Sequence, residues 1–164
     1  MRIAITDANV FIDLFEINWL PHLFSLRLEI VTTIEVFNEL SPLQQQSFSQ
    51  WQRTGQLRLV EVLLSEHPYV QQISDSRRLS FSDRTVLYIA IRDKLMILTG
   101  DNMIRKNAQK LGLEVHGMLW IFDKLIEYQT VKPFEAIDAL QALLRVNDWL
   151  PIDECLKRME LWQK

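Results

Sequence analysis

The chain has 164 residues and 19.4 kDa, enough for one domain with one sizeable core, and its 48% hydrophobic and 24% charged residues with only 4 Gly and 5 Pro exclude disordered, collagen-like and low-complexity classes. A single cysteine, Cys155, can close no intramolecular disulfide and build no zinc cluster, which fits a reducing compartment. A net charge of −3 and a pI near 5.6 argue, as averages, against a nucleic-acid partner.

Residues 2–6 are a short β-branched and apolar run that stops at Asp7-Ala8-Asn9, the pattern of a buried strand leaving its sheet. Asp7 and Asp13 interrupt any export signal at this end, and Arg27 with Glu29 breaks the most apolar later stretch, so a soluble, cytoplasmic protein is expected. Val10, Phe11, Leu14 and Phe15 recur at helical spacing; 20–26 forms a second helix around Pro21, and 28–31 a second strand. Thr32 and Thr33 are N-cap candidates for a helix with Ile34, Phe37 and Leu40 on one face, which sets Glu35 and Glu39 one turn apart. Residues 43–56 read as a helix running to Gly55, and 57–63 alternates as a strand.

Ser80-Phe81-Ser82-Asp83 has the spacing of a helix start, with Val86, Leu87, Ala90 and Ile91 as the apolar stripe behind it. Residues 95–99 form another buried strand ending at Gly100-Asp101, 102–111 a basic helix stopped by Gly112, and 113–115 a last short strand. Three helical stretches follow, at 119–128, after Pro133, and at 151–162. Strands alternating with helices indicate a three-layer α/β/α sandwich with a mainly parallel central sheet and a C-terminal helical extension. No internal repeat or linker divides the chain, so a single domain is expected, with its main unit at 1–128 and a helical extension at 129–164 packed on it.

In open parallel sheets, ligands collect beyond the carboxyl ends of the strands. Asp7 and Asp101 each directly follow a strand, and their carboxylates meet at one edge if those strands are neighbours. Asp83 falls in the first turn of its helix, where free amides and the dipole favour a negative charge, so it is expected to remain ionised. Glu39 completes a quartet drawn from four separate elements. Taken singly, each acid is as readily a turn former, a helix cap or a solvated side chain. Taken together, clustered carboxylates stay ionised at neutral pH by sharing a divalent cation, and an all-oxygen donor set indicates Mg²⁺ or Mn²⁺. Such a centre polarises a phosphoryl oxygen and activates water for attack on a phosphodiester. The histidines, His22, His67 and His116, have no ligand spacing, and no glycine-rich phosphate loop is present.

The ordered set of Asp7 in ITDANVFIDL, Glu39 in TTIEVFNEL, Asp83 in SFSDRTVLYIAI and Asp101 in MILTGDNMIRKNAQKLGL resembles the acidic motifs of the PIN domain over about residues 1–128. This is the nuclease fold of VapC-type toxins of toxin–antitoxin pairs and of related RNA-cleaving enzymes. The resemblance implies a Mg²⁺- or Mn²⁺-dependent ribonuclease with Asp7, Glu39, Asp83 and Asp101 as catalytic, metal-binding acids. It also implies Asn9 and Thr99 as supporting polar residues, an antitoxin protein as partner, and a homodimer. Ala8 stands where the family often has Thr or Ser, and Met103 where some members carry a further acid.

Charge is unevenly distributed. Residues 71–112 hold 8 basic and 4 acidic side chains, against 4 and 8 in residues 1–70 and 6 and 9 in residues 113–164. Arg77, Arg78, Arg84, Arg105 and Lys106 are therefore candidate contacts to RNA phosphates, with solvated helix faces or internal ion pairs as the competing reading. Two other functions stay open. One is a haloacid-dehalogenase-like phosphatase, which Asp7 and Gly100-Asp101 partly resemble although Asn9 replaces its second acid. The other is a catalytically inactive PIN-fold interaction protein, whose aromatic tail around Trp149 and Trp162 would bind a partner.

Overall fold

The first apolar run forms β1 (Arg2–Thr6), and four more strands join it: β2 (Leu28–Thr33), β3 (Leu57–Val60), β4 (Met96–Leu98) and β5 (Val115–His116). The structure, a computed structural model, describes all of residues 1–164. All four pairings are parallel, in the order β3-β2-β1-β4-β5, with Ile5 opposite Val31 on one side and Ile97 on the other. The chain winds outward from β1 through β2 to β3, then crosses back to β4 and on to β5. β1 and β4 thus flank the point where the winding reverses, and this is where a crevice opens in such sheets.

Between β1 and β2 run α1 (Ala8–Glu16) and α2 (Leu20–Ser25); between β2 and β3 run α3 (Ile34–Phe37), α4 (Pro42–Ser47) and α5 (Ser49–Arg53). A single 3-10 turn at Leu64–Glu66 leads through α6 (His67–Gln71) to α7 (Phe81–Asp93), which packs on β1, β2 and β4, and α8 (Asn102–Lys110) joins β4 to β5. Right-handed crossovers in opposite winding directions put α1 and α2 on one face and α7 and α8 on the other. Lys94 ends α7 in the left-handed conformation at φ 56°, so the chain reverses sharply into β4. The result is the α/β/α sandwich that the alternation of elements predicts, with a sheet that is wholly rather than mainly parallel.

Several elements differ from their sequence reading. The helix after β2 is one turn long, and Val36 and Leu40 are buried while Ile34 is 37% exposed, because Ser41 opens a new helix with a capping box to Gln44. The 43–56 stretch breaks at Phe48, where its ring turns inward against Phe11 at 4.8 Å between centroids. The last strand lies at 115–116 instead of 113–115.

After β5 comes α9 (Met118–Glu127), and the tail beyond it comprises α10 (Pro133–Val146) and α11 (Ile152–Gln163). Ala136, Ala139, Leu140, Leu143, Cys155 and Met159 belong to the same 42-residue hydrophobic core as β1. Trp162 stacks on Phe122, which stacks on Trp19, and the indole N–H of Trp162 and the Arg158 guanidinium both donate to Asp123. The Asn147 side chain donates to Asp13 at 2.8 Å. No helix is long and apolar enough to cross a membrane.

Candidate active site

Asp7, Thr33 and Thr99 stand at the carboxyl ends of three adjacent strands, and the strand register puts them in one row on the α7 face. Asp7 is 3% exposed. Its Oδ1 accepts the Val10 amide at 3.2 Å, making Asp7 the N-cap of α1, and its Oδ2 accepts the Thr99 hydroxyl. Thr99 Oγ1 in turn accepts the Asp101 amide at 3.0 Å. Asp101 caps α8 through the Ile104 amide at 2.9 Å, leaving its second oxygen without a protein partner. One buried hydroxyl therefore ties the two strand-end acids together. Thr33 bonds Thr85 of α7 at 2.8 Å, and Thr85 donates to the Ser82 carbonyl, which fixes the start of α7 over the row.

Asp83 enters from that helix start. Its Oδ2 accepts the Ser80 amide at 3.0 Å, and the Ser80 hydroxyl accepts the Asp83 amide, so its other oxygen is free. The Asp7 and Asp83 carboxyls respond to burial and to their acidic neighbours. Burial pushes the Asp7 carboxyl up to about 7 against the Thr99 and Val10 hydrogen bonds, and the charges of Asp101 and Asp83 push the same way. The Asp83 carboxyl is also raised, chiefly by burial and further by Asp101, with Ser80 and Arg84 opposing. This is opposite to the direction the helix dipole alone predicts, because partial burial of the carboxylate outweighs the dipole.

Glu39 lies just beyond α3 at an exposed position, with no side-chain hydrogen bond. Glu35, one turn earlier, is half-buried, and its Oε2 is sealed from solvent without a partner, a costly state for a carboxylate oxygen. Asn9 is exposed on the first turn of α1. No three His, Cys, Asp or Glu side chains are drawn close enough to share an ion. The donor chemistry nonetheless suits a hard divalent cation: the group is all carboxylate and hydroxyl oxygen, and Asp7 has no cationic partner to offset its burial.

A family model described as a PIN domain (DUF3368) matches residues 3–164. The chain belongs to the PIN domain family. No curated protein matches it. PIN domains are usually nucleases, and the parallel five-stranded sandwich is the PIN-like fold.

In this PIN domain the basic segment separates into groups with different surroundings. Arg92 pairs with Glu66 and Asp93 at 2.9 Å each. Arg84, a candidate phosphate contact on sequence grounds, is 8% exposed and turned inward: its guanidinium donates to the carbonyls of Gln71, Ser74, Ser76 and Leu79. It holds the loop before α7 and is not free for a phosphate. That loop carries Arg77 and Arg78, both exposed, and α8 carries Arg105 and Lys106; none of these four makes an ion pair. Sequence reasoning read Thr33 correctly as the N-cap of α3 but not its bond to Thr85, which has the pattern of an ordinary helix residue, and it chose Glu39 over its competitor Glu35 on the motif resemblance.

Proposed function

We propose that the protein is a metal-dependent endoribonuclease, with Asp7, Asp83, Asp101 and Glu39 holding Mg²⁺ or Mn²⁺ and RNA as the substrate. The observation that carries the reading is the buried Asp7 carboxyl, tied through Thr99 to Asp101 and destabilised as an anion by both neighbouring aspartates. Such a group calls for positive charge. A divalent ion bound there supplies a polarised phosphoryl oxygen and an activated water. Thr99 orients Asp7, the α1 and α8 caps orient Asp7 and Asp101, and Asn9, exposed two residues after Asp7, is the supporting polar residue the motif resemblance implies. Arg77, Arg78 and Lys106, exposed and outside any ion pair, offer charge to backbone phosphates.

Cleavage of labelled single-stranded and structured RNAs with Mg²⁺, with Mn²⁺ and with chelator tests this directly. Wild type is expected to cut only with metal, and Asp7→Asn and Asp101→Asn to lose about 100-fold or more, the upper end of what removing even a group behind a metal ligand costs. Undiminished cutting by both variants would sink the site. The family resemblance points to Glu39 as the fourth acid, whereas burial points to Glu35, and parallel Glu35→Gln and Glu39→Gln variants decide between them. Turnover of a generic phosphomonoester would favour the phosphatase reading instead.

The finer proposal is that the protein is a toxin of the VapC type, working in the cytoplasm, dimeric, and silenced by an antitoxin protein. It rests on the motif resemblance, and an adjacent antitoxin reading frame that blocks cleavage on co-expression would support it. We also assign the chemistry to residues 1–128 and a supporting role to 129–164, since every proposed site residue precedes the tail while α10 and α11 complete the core. A chain ending at residue 128 is expected to lose cooperative unfolding, measured by circular dichroism against temperature.

A further inference from the structure

Arg105 lies one helical turn beyond Asp101 on α8, so the two share a helix face. Its Nη2 donates to the Thr99 carbonyl at 3.2 Å, the same residue whose hydroxyl links Asp7 to Asp101. The side chain is half-buried and has no carboxylate partner, and the rest of its donors have no acceptor within the chain. Gly117, which precedes α9, makes this placement possible: a Cβ there would stand 2.5 Å from Arg105 Nη2. Gly117 has φ −112°, an ordinary backbone conformation, so the missing side chain serves the space for the guanidinium and not the chain path. The opposite situation holds at Arg84, where the donors are committed to loop carbonyls.

From this contrast we infer that Arg105 is the phosphate anchor of the site: it grips one backbone phosphate of the bound strand beside Asp101, held in aim by the Thr99 carbonyl and the gap at Gly117. The inference rests on the nucleic-acid reading above. A guanidinium fixed at one N–H and open at the others presents a planar fork suited to two phosphate oxygens, which an ammonium cannot match. Its distance from the acids is set by a single residue, Thr99, so the anchored phosphate is positioned relative to the carboxylates and not merely attracted to the surface.

The test measures binding of a fluorescein-labelled oligouridylate by anisotropy in chelator, where nothing is cut, over a series of salt concentrations. Arg105→Ala is expected to weaken binding about tenfold and to reduce the salt slope by about 0.7, one phosphate contact on a single strand. Arg105→Lys should keep the slope and recover part of the affinity. Gly117→Ala should weaken binding with little change in melting temperature, because the added Cβ displaces only the far end of a flexible side chain. An Arg105→Ala variant with unchanged affinity and slope overturns the proposal, as does a wild type that fails to bind the oligonucleotide. If binding falls as expected while wild type cuts no RNA in Mg²⁺ or Mn²⁺, the ribonuclease reading fails and the Arg105 assignment stands.

Discussion

Asp7→Asn is expected to stabilise the metal-free protein by about 3 kcal/mol at pH 8 and to destabilise it slightly, by less than about 1 kcal/mol, at pH 4, while abolishing the proposed cleavage. The Asp7 carboxyl is pushed from 3.8 to about 7 in the folded chain, so folding binds its proton more tightly than the unfolded chain does. The stability this group contributes is fully present below pH 3.8 and is lost as pH rises through about 7, beyond which the folded protein carries a buried carboxylate at full cost. The shift corresponds to on the order of 4 kcal/mol, from which about 1 kcal/mol is subtracted because Asn offers one acceptor oxygen where Asp7 uses two. Denaturant melts of both proteins in chelator from pH 4 to pH 8 measure the difference, which cancels the titration of groups that do not interact with Asp7. A constant difference across that range would show that Asp7 ionises freely. Mg²⁺ or Mn²⁺ should raise wild type alone, by about 2.7 kcal/mol at a hundred times its dissociation constant. The residue proposed to hold the metal is thus the one that weakens the metal-free fold.

The strand-end acids were legible in the sequence because a buried β-run that stops at Asp announces both the strand and the loop beyond it. Asp7 and Asp101 follow such runs, and strand order then makes their strands neighbours, which no local pattern contains. Asp83 was legible as a helix-start residue, but its environment was not: the dipole is a local property, whereas the burial that raises its carboxyl comes from elements distant in sequence. The one-turn α3 shows the same limit, since apolar spacing at Ile34, Phe37 and Leu40 predicts a longer helix and a capping box at Ser41 ends it. Net charge is uninformative for a related reason. An average of −3 includes acids gathered at one sheet edge and basic residues flanking them, and it cannot distinguish Arg105, open to a ligand, from Arg84, enclosed by the protein.

Arg84→Ala should therefore lower stability by about 2–4 kcal/mol, roughly 5–15 °C in melting temperature for a chain of this size, and should impair RNA binding only as a consequence. Four carbonyls, from Gln71, Ser74, Ser76 and Leu79, converge on one guanidinium with Nη1 bonds of 2.7 and 2.8 Å, and removing it leaves all of them facing one another. Water can replace part of this at the half-buried Ser74 and Ser76, which keeps the cost below that of a sealed charge. Arg84→Lys should recover less than half, because a point ammonium cannot reach acceptors spread around a planar fork. The loop released by the change is the one that carries Arg77 and Arg78 and leads into Ser80 and Asp83, and its Ser74 hydroxyl bonds Asn107 of α8. Loosening it frees both basic residues and the helix start, so oligonucleotide affinity should fall most near the lowered melting temperature and recover on cooling. A variant that melts within 2 °C of wild type, on a scale where about 1 kcal/mol moves the transition by 2–4 °C, yet binds RNA poorly at all temperatures, would return Arg84 to the phosphate-contacting group.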